Sequence, residues 1–503
     1  MKRIVNSGEM KFLDQYTIEH HKVPSLVLME RAALAVCEHL DEFDLTKVLV
    51  VCGSGNNGGD GIAVARLLHL AGKNAAVYLI GNEEHLSNEC RIQKEIAESY
   101  NVPFINKPVY SEYTTIIDGI FGVGLTRSIE GKYREIIEAI NASKAKVLAI
   151  DIPSGIHADH GQVMGCAVKA DVTVTFAFGK IGHNLYPGMD YCGKCRICDI
   201  GIYAYLNNSM YSLENRYQMD EDDLRLIPVR KADGNKGTFG KVLIVAGSKG
   251  MAGAAILCAR AVLRCGAGMV KIVTHESNRI IVQQCIPEAM TSTYESEEEA
   301  VRCLASGCSW ADAAVCGCGL GMSLCSEEMM SYMVKHFHKP MVLDADGLNI
   351  LSTHMEWLNE KKGERWILTP HIGEMARLTG ISIEEIKRDP LFIAKKFAEE
   401  HQVQCVLKDA VTCISVPDDD PELPCTLYIN RNGNSGMATA GSGDVLAGIV
   451  GGLLSVGTPF AYAGALGAYI HGRAGTLAKE KLGASYMNAG DLIQELQYLR
   501  LAE

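Results

Sequence analysis

The chain of 503 residues has no run of basic side chains, no apolar core behind its first residues and no long apolar stretch free of helix breakers. With 60 acidic against 48 basic side chains and a formal charge of −12, it offers no basic face to nucleic acid or to an anionic membrane. The start, Met1-Lys2-Arg3-Ile4-Val5-Asn6, lacks the apolar segment of a secretory leader. The 18 cysteines fall within apolar strand and helix patterns, not in a small loop-rich disulfide frame, so a reducing, cytoplasmic setting is expected. Cys192, Cys195 and Cys198 have a metal-like spacing but no fourth ligand nearby, which argues against structural zinc. Val445 to Ile470 carries no charge and is long enough to span a bilayer, but Gly451, Gly452, Gly457 and Pro459 cut it into pieces suited to buried helices.

What is present is alternation. Apolar, β-rich runs follow helical patterns along the whole chain, the pattern of parallel sheets covered by helices, so the fold class is α/β. At ~100–200 residues per domain the length calls for at least two. The polar stretch from Tyr205 to Lys236 contains Asn207-Asn208-Ser209, the acidic Asp220 to Asp223, and Asp233-Gly234-Asn235-Lys236; with no strong strand in it, the boundary belongs there. Glu295 to Glu299 reads as a solvated helix face, and Asp418-Asp419-Asp420-Pro421 as the tip between strands Thr412–Val416 and Thr426–Asn430.

In the first half, the strand Lys47 to Cys52 leads into Gly53-Ser54-Gly55-Asn56-Asn57-Gly58-Gly59-Asp60-Gly61 and a helix from Ile62. Gly53, Gly55 and Gly58 satisfy the spacing of a dinucleotide loop, but two amides and a carboxylate stand at the turn, and Glu83 is a poor match for a ribose-binding acid. Two later strands end at Asp118, before Phe121-Gly122-Val123-Gly124-Leu125-Thr126-Arg127, and at Asp151, before Ile152-Pro153-Ser154-Gly155. Ligands of open parallel sheets sit beyond the carboxyl ends of the strands, so Asp60, Asp118 and Asp151 are expected on one rim. Three acids repel a phosphate-bearing ligand unless a cation offsets them, and oxygens from Asn57, Asp118 and Ser154 suit a hard monovalent or divalent ion.

In the second half, Asn432-Gly433-Asn434-Ser435-Gly436-Met437-Ala438-Thr439-Ala440-Gly441-Ser442-Gly443-Asp444 runs straight into an apolar helix. Glycines let backbone N–H groups converge, the helix N-terminus adds positive potential, and a carboxylate stands beside the anion hole, which is equipment for phosphoryl chemistry. The competing role for Asp444 is helix capping. Glycine and polar loops also follow the strands at Val315-Cys316-Gly317-Cys318-Gly319-Leu320-Gly321, Leu343-Asp344-Ala345-Asp346-Gly347-Leu348-Asn349, Leu368-Thr369-Pro370-His371-Ile372-Gly373-Glu374 and Val406-Leu407-Lys408-Asp409-Ala410-Val411-Thr412, and all could line one rim.

These motifs carry two resemblances. Residues 1–213 resemble the YjeF N-terminal domain family, the NAD(P)H-hydrate epimerases, through GNNGGDG, the Asp118 strand with GVGLTR, and Asp151-Ile152-Pro153-Ser154-Gly155. That resemblance implies a Rossmann-like three-layer sandwich with potassium at Asn57, Asp118 and Ser154. It also implies a hydrated dinucleotide contacted by Asn57, Gly58, Gly59, Asp60, Gly122, Val123, Gly124, Leu125, Thr126, Arg127, Ser128 and Asp151. Asp151 would accept the proton in inversion at C6, with Lys180 as its candidate partner.

Residues 217–503 resemble the ribokinase-like superfamily, and within it the NAD(P)H-hydrate dehydratases, through GSxGxxGAA, GCGLG, DADGLN, TPHIGE, KDAVT and AGSGD. The hydrated dinucleotide is then expected near Ala254, Gly319, His371 and Asp444, with the adenine nucleotide at Lys408, Asp409, Ala410, Val411, Thr412 and Gly443. His371 is either a ligand contact or a satisfied core histidine. ADP is the expected phosphoryl donor, with magnesium on its phosphates, and Asp444 the base that frees the C6 hydroxyl to attack. Small molecules are the expected partners, with no nucleic acid or membrane, and the chain is expected to form a homo-oligomer. The rival reading is a vitamin or sugar kinase joined to a non-catalytic binding module.

Overall fold

The computed structural model describes residues 1–81, 83–204, 213–420 and 423–499; Asn207-Asn208-Ser209 and Pro421 lie outside them. The chain divides into two compact α/β units, Arg3–Glu214 on one side and Asn215–Glu503 with Met1–Lys2 on the other.

In the first unit six parallel strands are ordered Ala75–Leu79, Val48–Cys52, Thr115–Gly119, Lys146–Ile150, Val172–Phe176, Lys194–Cys198. Every residue of Val48–Cys52 is buried because the strand has helices on both faces: Val48, Val50 and Cys52 join one core, Leu49 and Val51 the other. The first strand of this sheet lies between the second and third, so the order in which strands are laid down reverses beside it and opens a crevice at its carboxyl end. The helix Asn56–Leu70 starts in that crevice. Gly58 is required there, since a Cβ would collide with the carbonyl of Gly53. A separate parallel pair joins Ile4 and Val5 to Gly179 and Lys180. The helix that follows, Ser7–Glu19, is started by a capping box in which Asn6 and Glu9 exchange side-chain to backbone hydrogen bonds of 2.7 and 2.8 Å.

In the second unit the strands run Met290–Tyr294, Met269–His275, Lys241–Val245, Ala313–Cys316, Met341–Leu343, Trp366–Leu368, Gln404–Leu407, Thr412–Val416, Thr426–Asn430, Arg216–Gln218. The first seven are parallel, and an antiparallel meander follows from Gln404 to Asn430. Arg216–Gln218 corrects the expectation of a strand-free boundary. It pairs in parallel with Leu427 and Tyr428, and its three residues Arg-Tyr-Gln are too short and polar to leave an alternating pattern.

The apolar stretch from Val445 forms the helices Ser442–Ser455 and Phe460–Leu482, broken at Gly457, φ 90°, and Pro459 and not at Gly451 or Gly452. Those two glycines stay helical because they set packing distances. A methyl on Gly451 would strike Val315 beneath, and one on Gly452 would strike Cys265, which caps the neighbouring helix Ala252–Arg264. No described helix is long and apolar enough to cross a membrane.

Candidate active sites

The crevice of the first unit is a cavity of about 520 Å³. Its wall includes Asn57, Asp60, Gly122, Val123, Gly124, Leu125, Thr126, Arg127, Asp151 and Lys180. Gly58 and Gly59 lie behind it, packed against Gly53 and Met29, and Ser128 is also off the wall, near Gly165. Asp118 lies under the floor instead of on the rim. It is fully buried, and its carboxylate accepts hydrogen bonds from the Ser154 N–H at 2.8 Å and the Ser154 hydroxyl at 2.6 Å. Burial lifts its pKa to about 6 against the pull of these bonds and of the Ile120 N–H. Ser154 Oγ in turn accepts from the Phe121 N–H at 2.8 Å. The amide nitrogen of Asn57 is buried without a partner.

Asp151 follows the strand Lys146–Ile150 in a left-handed conformation, φ 65°. Lys180 Nζ, almost wholly buried, donates to Asp151 Oδ1 at 2.6 Å and to Thr175 Oγ1 at 2.7 Å, while Thr175 Oγ1 donates to Asp151 at 2.9 Å. Burial works to raise the Asp151 pKa, but the charge and hydrogen bond of Lys180, with His183 and Thr175, win and hold it below the ordinary range. The sequence reading omitted the wall residues Asp14, Met29 and Glu89, which come from helices carrying no glycine motif.

In the second unit Asp444 stands in the first turn of Ser442–Ser455, three residues after Gly441, whose φ of 87° makes it the cap. Asp444 is therefore not the capping residue. Its carboxylate, the Cys318 thiol and the Asp344 carboxylate bring their reactive atoms within 4.8 Å of one another. Lys408 Nζ donates to Asp344 Oδ1 at 2.6 Å, and Thr369 Oγ1 to the same oxygen at 2.8 Å. A Cβ on Gly443 would stand 3.3 Å from Lys408 Nζ, so the helix start, the lysine and the acid pair converge. Burial and the neighbouring Asp344 push the Asp444 pKa up to about 6 despite the Cys318 hydrogen bond and the Lys408 charge.

Gly319 and Ala254 are adjacent, the former at φ 57°. Asp409 and Ala410 are exposed on the turn before Thr412, whereas Val411 is in the core and Lys408 turns inward to Asp344. His371 is neither core nor unattached: half-exposed, it caps the helix Ile372–Thr379, Nδ1 accepting from the Gly373 N–H at 2.9 Å. Asp344, Thr369, Cys318, Glu374 and His471 complete this constellation and were not singled out from the sequence. Burial raises the Glu374 pKa to about 7, and burial lowers that of His471, 3.2 Å from Ser442 Oγ, to about 4. The visible signal for Asp344 was two acids in one loop directly after a strand.

Residues 25–182 match the family model for the YjeF-related protein N-terminus, and residues 242–498 that for NAD(P)H-hydrate dehydratase. A bifunctional NAD(P)H-hydrate repair enzyme from Moorella thermoacetica is 36% identical over 99% of this chain and 96% of that protein. This chain belongs to the bifunctional NAD(P)H-hydrate repair enzyme family. An NAD(P)H-hydrate epimerase from Oenococcus oeni is 51% identical over 40% of this chain and 97% of its own length. Among solved structures, an ADP/ATP-dependent NAD(P)H-hydrate dehydratase from Bacillus subtilis, co-crystallised with ATP and magnesium, is 27% identical with a TM-score of 0.48, covering 56% of this chain and 96% of that one.

Proposed function

We propose that the chain repairs hydrated NADH and NADPH, with residues 1–213 interconverting the R and S forms at C6 and residues 217–503 returning the S form to NAD(P)H at the expense of ADP. Asp444 carries the dehydratase half of this reading: a half-buried carboxyl, pushed up to about 6, in the first turn of a glycine-capped helix start. It takes the C6 hydroxyl proton as the oxygen attacks the terminal phosphoryl group, and helix N–H groups offset the developing charge. The phosphate ester then leaves with the C6–O electron pair, a C5 proton is lost, and the ring double bond returns, with AMP and phosphate as by-products. Asp409, Ala410, Val411 and Thr412 would hold the nucleotide by backbone and exposed side chains, and Ala254, Gly319 and His371 the dinucleotide.

The donor set around Asp444 suits magnesium poorly, since one of its three atoms is sulfur and an ammonium already sits 2.6 Å from Asp344. Magnesium would instead be held by the nucleotide phosphates, where it would offset their charge. Potassium fits the first unit better. Asp118, Ser154 and the Phe121 carbonyl offer only oxygen, and turning the unpartnered Asn57 amide puts a further oxygen where nitrogen now stands. When bound it would supply positive charge against the acids and the substrate phosphates. Asp151, held ionised by Lys180, accepts the proton in epimerisation. Eighteen free thiols accord with a cytoplasmic setting.

A kinase joined to a binding module would instead leave a stable phosphorylated product, and the buried Asp151–Lys180 pair in a 520 Å³ cavity is more than a scaffold needs. The deciding test supplies mixed epimers of hydrated NADH with ADP, ATP or no nucleotide and follows reduced-nicotinamide absorbance. Full recovery with ADP supports the reading, and no recovery with either donor removes it.

A further inference from the structure

The cavity of the first unit holds carboxyls besides that of Asp151. Asp14, from the helix Ser7–Glu19, and Asp60, from Asn56–Leu70, line it together with Asp151 and Lys180. The three acids are treated differently. Asp151 has an ammonium, a hydroxyl and a nearby imidazole to balance it, whereas nothing among the described residues offsets Asp14 or Asp60. Each of those two faces only burial and other acids: Glu89 and Asp151 against Asp14, Asp151 and Asp14 against Asp60. The remaining charged groups of the wall are Lys11 and Arg127, and Lys180 is already committed to Asp151.

We infer that Asp14 is the proton donor of the epimerisation; the inference rests on the epimerase reading above. Inversion at C6 needs a donor and an acceptor in one pocket, because the hydroxyl departs from one face and oxygen returns on the other. Asp14 gives its proton to the C6 hydroxyl, the C–O bond breaks with its electron pair on the departing water, and the lone pair of the ring nitrogen forms the C6–N double bond. Water adds to the opposite face, its excess proton passes to Asp151, and exchange with solvent removes that proton from Asp151 and returns one to Asp14. No electron is gained or lost overall. Carboxyls whose surroundings drive their proton affinities apart are how one pocket supplies both an acid and a base at neutral pH. Burial and its acidic neighbours raise the pKa of Asp14, and those of Asp60 raise it well above the ordinary range.

The test follows recovery of reduced cofactor by the full chain with ADP, starting from the separated epimers across pH. The S form needs only the dehydratase, whereas the R form needs both sites. Asp14→Asn is expected to lower R-form turnover by ~10²–10⁴-fold through kcat, with KM and S-form turnover unchanged, and to abolish the alkaline limb of its pH profile. Asp14→Glu should retain that limb at a displaced pH, which a purely structural role would not produce, and it decides the matter if the Asn variant misfolds. R-form turnover by Asp14→Asn within fivefold of wild type, or an alkaline limb unmoved in Asp14→Glu, overturns the assignment. Wild-type protein that recovers the S form but never the R form would instead remove the epimerase reading itself.

Discussion

Replacing Asp444 by Asn should make the second unit more stable and nearly inactive at once. In the fold the carboxyl titrates at about 6 against an ordinary 3.8, because burial and Asp344 disfavour its charge. The sign is that of a raised acid: below about pH 4 both states hold the proton and the site costs nothing, whereas above 6 the fold must keep a charge that the unfolded chain carries freely. Roughly two pH units at 1.36 kcal/mol each is a net cost of about 3 kcal/mol. The neutral amide removes that cost. Asp444→Asn should therefore gain about 2–3 kcal/mol at pH 8, some 4–12 °C in Tm, and close to nothing at pH 4. Loss of a positioned base should simultaneously lower dehydration of the S form by ~10²–10⁴-fold. Thermal melting at the two pH values and absorbance recovery measure the two halves. Dehydration within tenfold of wild type, or the same stability change at pH 4 and pH 8, would refute the role assigned here.

Lys180→Met leaves the buried Asp151 without its ammonium; a loss of about 3–5 kcal/mol in melting of the first unit is expected, with R-form turnover abolished and S-form turnover intact. Lys408→Met removes the positive charge that restrains Asp444, so the acid limb of dehydration should move upward from about pH 6, and a pH–rate profile that stays in place counts against the coupling. Gly451→Val forces methyl groups onto Val315, and a cost of about 1–3 kcal/mol or more should appear in denaturant unfolding of the second unit alone, with epimerisation unchanged.

Strands and glycine loops were readable because both report locally. A run such as Val48–Cys52 is apolar at every position since both faces are buried, and a turn that needs Gly58 declares it in one letter. The ends of Thr412–Val416 and Thr426–Asn430 match the sequence expectation for the same reason, each being set by adjacent turns. Side-chain partners were not readable. Thr369 and Lys408 meet on Asp344 from 25 and 64 residues away, and Asp14 reaches the cavity from a helix whose sequence shows only a capping box. The capping role of His371 was not readable either: an imidazole accepting backbone N–H groups at a helix start has the same local sequence as one facing a ligand.

The left-handed backbone at Asp151 narrows what evolution can do with this position. Only Gly, Asn and Asp enter that conformation at little cost, since their side chains are absent or short and bond locally. A glutamate would keep the charge, yet it would add strain to the chain and carry its carboxylate a methylene beyond Lys180. Of the three residues the backbone tolerates, one has no side chain and one has no ionisable group. Selection for a carboxylate beside Lys180 thus has a single neighbourhood to search, and drift away from Asp passes through variants that leave the buried Lys180 ammonium unpaired, so that stability falls together with the pocket's chemistry.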